Sequence, residues 1–131
     1  MSAIDVITAY YAAFNRGDFA TMANMVTDDF VHDPNQGTRR VGRDAFVAFL
    51  AKMDVSYHEQ VEDLVVMANG ERAAAEFIIN GQYKCAEPGL PPAHGQRYRL
   101  PVGAFFALRG EKIARVPNYY NLEDWLAQVG K

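Results

Sequence analysis

Apolar positions recur along residues 3–14 with a helical period. Ile7, Tyr10, Tyr11 and Phe14 fall at i, i+3, i+4 and i+7 and make one face. Asn15-Arg16-Gly17 ends that pattern, with Gly17 suited to a left-handed position after the helix. Asp18 is placed to cap a second helix over 19–26, whose inner face is Phe19, Met22, Met25 and Val26. Thr27-Asp28-Asp29 breaks it. A short strand is predicted over 30–33, with 38–41 as its hairpin partner. Gly42 ends that strand, and 43–53 reads as a third helix carrying Phe46, Val47, Phe49 and Leu50.

The period then changes from helical to alternating. Residues 56–67 are rich in β-branched and apolar side chains, and Asn69-Gly70 is a strong hairpin signal. Over 72–83, Ala73, Ala75, Phe77, Ile79, Gly81 and Tyr83 alternate on one face, and Gly81 is read as a bulge. Residues 85–95 hold three prolines and two glycines and form the longest irregular stretch, read as either a mobile flap at the pocket entrance or an ordinary surface loop. Strands follow at 96–108 and 112–120, joined by Arg109-Gly110-Glu111. A last helix spans 122–129, with Trp125, Leu126 and Val129 on its apolar face. Helices first and long antiparallel strands after argue for an α+β domain, a curved sheet covered on one face by helices. Such a sheet leaves a concave pocket, the default place for a ligand.

Length and charge narrow the function classes. The 131 residues are read as a single domain, 1–131. The net charge of −3 is scattered, with no basic stripe for nucleic acid and no polybasic run for an anionic membrane. One cysteine, Cys85, excludes an internal disulfide, and a cytoplasmic home is expected. No apolar run approaches membrane-spanning length, and no secretory signal is read at the N-terminus. His32, His58 and His94 show no metal-ligand spacing, so neither a metal nor a cofactor is expected. Apolar residues occupy both faces of the predicted strands (Phe77 and Ile79 against Ala74 and Ile78), which predicts a homodimer through the sheet.

The segment Val31-His32-Asp33-Pro34-Asn35-Gln36-Gly37 carries the sharpest chemistry. An acid ends an apolar strand, and Pro34 stops the pairing behind it. Asp33 is either a turn acid bonded to nearby backbone N–H groups or a carboxylate in the pocket with a pKa raised by burial. Alternation sends His32 to the other face, away from that work.

Three segments in order, Tyr10–Asp18, Val31–Pro34 and Gly42–Ala45, resemble the ketosteroid isomerase and SnoaL-like polyketide cyclase group of the nuclear transport factor 2-like superfamily. The resemblance spans nearly the whole chain. It implies a cone-shaped mixed or antiparallel sheet wrapped over three helices, often dimeric through the sheet's outer face. It implies that Tyr10 donates a hydrogen bond to the substrate oxygen and that Asp33 is the base. The second oxyanion donor of the isomerases falls here at Gly103 or Ala104, neither of which can donate. The cyclases' acid after the final strand is replaced by Asn121, better placed to cap the last helix. Expected pocket-lining residues are Tyr11, Phe14, Phe49, Phe77, His94, Phe106, Tyr119 and Asn121. The expected activity is proton transfer α to a carbonyl in a small hydrophobic molecule, by an isomerase or a cyclase-like lyase. The alternatives are a non-catalytic small-molecule binder and a dimeric interaction module.

Overall fold

The computed structural model describes residues 1–130. Helix α1 (Ala3–Asn15) begins in a reciprocal cap: the Asp5 N–H donates to Ser2 Oγ, and the Ser2 N–H donates to the Asp5 carboxylate. It ends at Gly17, whose φ of +71° is the left-handed turn expected there. Helix α2 (Phe19–Asn24) is capped by Asp18, which accepts from the Thr21 N–H at 3.1 Å. Strands β1 (Val26–Pro34) and β2 (Arg40–Val41) follow, then helix α3 (Arg43–Ser56). The rest is β3 (Tyr57–Asn69), β4 (Arg72–Tyr83), β5 (Gln96–Arg109), β6 (Lys112–Tyr119) and helix α4 (Leu122–Val129).

These strands make one curved, open, mixed sheet in the order β2-β1-β6-β5-β4-β3. Every pairing is antiparallel except β1 with β6. The concave face carries an alternating set from each strand, including Phe77 and Ile79 on β4 and Leu100 and Val102 on β5. All four are buried in one core with Tyr10, Tyr11 and Phe46 from the helices. Burial of this apolar face is what holds the helices to the sheet, at roughly 1.5–3 kcal/mol for each large side chain.

Two local expectations are corrected. Val26 belongs to β1 and not to α2: it pairs with Ile113, and the next pair is Val31 with Arg115. Residues 27–30 on β1 lie opposite the single residue Ala114 on β6 in that register shift, so the polar Thr27-Asp28-Asp29 run lies inside an irregular strand. Gly81 is not a bulge. Its pairings to Glu59 and to Tyr98 continue the register on both sides without a break. The bulge of this region lies on β3 between Glu62 and Val65, where Asp63 adopts a φ of +55°.

One side chain ties the helices to the sheet in register. Asn15, the last residue of α1, accepts from the Val61 N–H at 2.7 Å and donates to the Val61 carbonyl at 3.0 Å. This clamp fixes Tyr10, Tyr11 and Phe14 over the concave face, two residues along β3 from Glu59.

Candidate active site

Between the helices and the concave sheet lies a cavity of about 470 Å³. Tyr10, Tyr11 and Phe14 from α1, Phe49 from α3 and Phe77 from β4 line it. Phe106 does not line it. It lies behind the wall, its ring 6.2 Å from that of Tyr10 and 6.0 Å from that of Tyr11. Among the described residues the Tyr10 hydroxyl has no hydrogen-bond partner, although its ring is buried. Burial pushes the pKa of both Tyr10 and Tyr11 upward, so both hydroxyls stay protonated and can donate.

The cavity also holds a carboxyl group that the sequence did not single out. Glu59 projects from β3 on the same face as Tyr57 and Val61. Across the sheet its partner on β4 is Gly81, and the partner of Gly81 on β5 is Tyr98. With no side chain at Gly81, the Tyr98 ring lies over that position and its hydroxyl donates to Glu59 Oε2 at 2.6 Å. Glu59 Oε1 has no partner among the described residues. Burial raises the carboxyl pKa, opposed by the Tyr98 hydrogen bond. The Tyr98 hydroxyl is itself pushed up by burial and by the Glu59 charge, so it remains the donor.

A second carboxylate, Glu87, lines the cavity from the 85–95 segment. It accepts from the Tyr57 hydroxyl at 2.8 Å and lies 3.6 Å from the Lys52 ammonium. Paired in this way, Glu87 is a structural anchor. The 85–95 segment is correspondingly well tied. The Tyr83 hydroxyl donates to the Pro91 carbonyl at 2.7 Å, and the Gln96 amide donates to Pro92 and to Val129, each at 2.8 Å. Leu90 of this segment reaches the cavity wall, whereas His94 is exposed and only its backbone N–H is engaged, by Gln96.

Asp33 is not in the cavity. It points to the other side of β1, where Arg39 grips it with bonds of 2.7 and 3.0 Å and Arg115 lies 3.3 Å away. The Arg39 hydrogen bond leads the causes that hold its carboxyl below the usual range, the reverse of a buried base. The alternation of β1 instead puts Phe30, His32 and Pro34 on the concave side. His32 lines the cavity among Phe30, Phe46 and Phe49, with ring centroids 6.1, 5.6 and 4.6 Å away. Burial, helped by the Arg40 charge, lowers its pKa to about 4, so the imidazole is neutral at pH 7.

Tyr119 and Asn121 also lie elsewhere than expected of pocket residues. Tyr119 is exposed, its ring 6.0 Å from that of Phe105 on the convex face. Asn121 caps α4, accepting from the Asp124 N–H at 3.2 Å. The neighbouring Tyr120 and Trp125 line the cavity in their place. Ala104 is the buried member of the pair considered for a late-strand acid, and it adds no polar group. No group of three or more histidine, cysteine or acidic residues that could hold a metal occurs among the described residues. Nor is any helix among them long and apolar enough to cross a membrane.

A curved α+β sheet closing a largely apolar cavity, lined also by carboxyl groups and protonated tyrosine hydroxyls, defines a small-molecule-binding fold. Residues 7–116 match the SnoaL-like domain, and the chain belongs to that family. The chain is 52% identical to a "putative polyketide cyclase" from Pseudomonas putida KT2440, with a TM-score of 0.97 over 98% of each chain. It is 51% identical to one from Xanthomonas campestris pv. campestris, with a TM-score of 0.93 over 96% of this chain and 95% of the other. A more distant fold neighbour is a ketosteroid isomerase-like protein from Catenulispora acidiphila, at 21% identity and a TM-score of 0.75 over 98% and 95%. No curated protein gives a significant match.

Proposed function

We propose that the protein is an enzyme that moves a proton α to a carbonyl in a small hydrophobic molecule, with Glu59 as the base. The observation that carries this reading is the Glu59 carboxyl: it lines the cavity, one oxygen is held by Tyr98 at 2.6 Å, and burial raises its pKa. A base for a carbon acid works best with its pKa moved toward the working pH, and desolvation does this for a glutamate. Tyr98 fixes Oε2 and leaves Oε1 to take the proton. A tyrosine that stays protonated, Tyr10, supplies a hydrogen bond to the oxygen on which enolate charge develops. The returned proton comes from the same carboxyl, giving isomerisation, or ring closure when the enolate carbon attacks a second carbonyl. The polyketide cyclase names of the close relatives fit a carbonyl-rich substrate of the second kind.

The test is hydrogen–deuterium exchange into a panel of small enones, cyclohexenones and β-keto esters. Wild type should exchange the α-proton of some of them, and Glu59→Gln should lower the rate by about 10²–10⁴-fold, the usual worth of a positioned base. The competing reading, a binder without chemistry, is favoured by Ala104 and Asn121, which bring no second acid to the site. It predicts binding with no exchange in any variant.

The protein is further proposed to act as a homodimer through the convex face of the sheet, in the cytoplasm. Exposed apolar side chains on that face, Val65, Met67 and Phe105 at 50%, 55% and 48%, support this reading.

A further inference from the structure

Substrate recognition in this cavity has a polar contact that neither the carboxyl nor the tyrosines supply. His32 has only 4% of its surface exposed, yet its imidazole makes no hydrogen bond to any described residue. Its two nitrogens differ. Nδ1 is sealed off without a partner, whereas Nε2, equally without one, is not sealed, and the ring belongs to the cavity wall. Phe30, Phe46 and Phe49 surround the ring and fix its plane, and Arg40 sits 4.8 Å over the outer Phe49 ring.

The placement of the proton follows from the cost of an orphaned group. A buried N–H with no acceptor is rarer and more costly than an under-used lone pair. The sealed Nδ1 therefore carries the lone pair and Nε2 carries the hydrogen. The nearby Arg40 charge works in the same sense, since it disfavours a second proton on the ring. A neutral imidazole with Nε2–H toward an apolar cavity is a hydrogen-bond donor waiting for an acceptor.

We propose that His32 Nε2–H binds a neutral oxygen, the carbonyl or ether-type acceptor of an uncharged apolar ligand. The aromatic rings around it receive the adjoining hydrocarbon. At His32 itself a neutral donor compensates a carboxylate's desolvation poorly, and the cations that also line the cavity, Arg16, Arg40 and Lys52, are engaged with Asp18, the Phe49 ring and Glu87. The His32 position thus favours an uncharged oxygen acceptor. The inference rests on the cavity being the ligand site of the proposed function and does not depend on Glu59 acting as a base.

The experiment uses 1-tetralone, its oxygen-free analogue tetralin, and protein labelled with ¹⁵N in histidine. The free protein should show a protonated Nε2 and an unprotonated Nδ1 for His32 across pH 6–8. Saturating 1-tetralone should shift the Nε2 resonance, and tetralin should shift it much less. His32→Phe, which keeps a planar ring, should weaken 1-tetralone about tenfold, the equivalent of a hydrogen bond of roughly 1.4 kcal/mol, and leave tetralin unchanged. A proton on Nδ1, an Nε2 signal indifferent to bound 1-tetralone, equal losses for both ligands, or no binding of 1-tetralone at millimolar concentration would each overturn the proposal. The wild-type spectra decide the matter even if the variant fails to fold. In Glu59→Gln the ligand-induced shift of His32 should persist although exchange activity is gone, which separates a failure of this inference from a failure of the base assignment.

Discussion

Tyr98 reaches Glu59 across an intervening strand, a 2.6 Å hydrogen bond made over the bare backbone of Gly81. A Cβ at Gly81 would overlap the Tyr98 ring and sit 2.6 Å from its hydroxyl oxygen. The backbone there is ordinary extended strand, so the position calls for glycine because of the close approach and not because of its conformation. Gly81→Ala should therefore displace Tyr98 and lower stability by about 1–3 kcal/mol, the usual cost of overpacking. Urea denaturation measures this. In a Tyr98→Ala background the same substitution should cost much less, because the ring it collides with is gone. Equal losses in both backgrounds would mean that Gly81 serves some other purpose.

Glu59 gives a stability signature with a definite sign. Its carboxyl pKa is raised above the ordinary 4.5 by burial. Between 4.5 and the raised value the unfolded chain releases a proton that the native state retains. Its contribution to stability falls as pH rises through that window and levels off above it, while that of His32, whose pKa burial lowers to about 4, rises over the same range. Glu59→Gln removes the falling part only, so the variant should gain stability relative to wild type as pH rises through the window and stand equal to or above it at pH 7. Thermal melts from pH 4 to 8 on both proteins test it. Two profiles that run parallel throughout this window would contradict the raised carboxyl pKa.

Asp33 has the opposite sign. Arg39 and Arg115 hold its carboxyl below the ordinary 3.8, so its contribution is fully present above that value and is lost as pH falls through the lowered one. Arg39 is largely exposed, and solvent screening keeps the pairing modest. Asp33→Asn should cost about 1 kcal/mol or less at pH 7 and leave exchange activity at the wild-type level. Loss of activity with unchanged stability would return the base to Asp33.

The helices and long strands were legible because their periods are strong: the α1 face of Ile7, Tyr10, Tyr11 and Phe14 and the alternation of β4 each read one way only. The facing of β1 was not legible. Phe30 and Val31 are both apolar, so the strand fits two phases one residue apart, and the choice between them exchanges Asp33 for His32 on the concave side. The acid-proline pair drew the reading toward the wrong phase, while the partners that decide it, Arg39 and Arg115, come from a loop and from β6. The Glu59–Tyr98 pair was hidden for a different reason. Its members are 39 residues apart, and only the register of three strands aligns them. The signal available in the sequence was Gly81 itself, a glycine in the middle of an otherwise regular strand, which marks a close approach as readily as a bulge.

The convex face supplies the last prediction. Antiparallel sheets bury one face in their own core, and the other is either polar or covered. Here the concave face is filled by the helices, yet Val65, Met67 and Phe105 on the convex face are each about half exposed, with Tyr119 packed edge-on against Phe105. Further along the face Glu62, Arg99 and Asn80 are joined by bonds of 2.7 and 3.0 Å, whereas the exposed Glu76, aligned between Val65 and Gly103, has no side-chain partner among the described residues. The row of Met67, Ala74 and Phe105, aligned across three strands, suits a second copy of the same surface, since a two-fold axis places apolar side chains on apolar side chains. Sedimentation equilibrium at micromolar concentration should give twice the 14.6 kDa chain mass. Phe105→Glu puts a charge at the centre of the patch, where two copies would bring like charges together in an apolar setting. It should yield a monomer that keeps the far-ultraviolet circular dichroism of wild type, because Phe105 contributes nothing to the concave core. If wild type sediments as a monomer, the convex face is simply solvated. If Phe105→Glu remains dimeric, the contact lies on another surface, and the exposed Val41, Val47 and Val55 become the next positions to substitute.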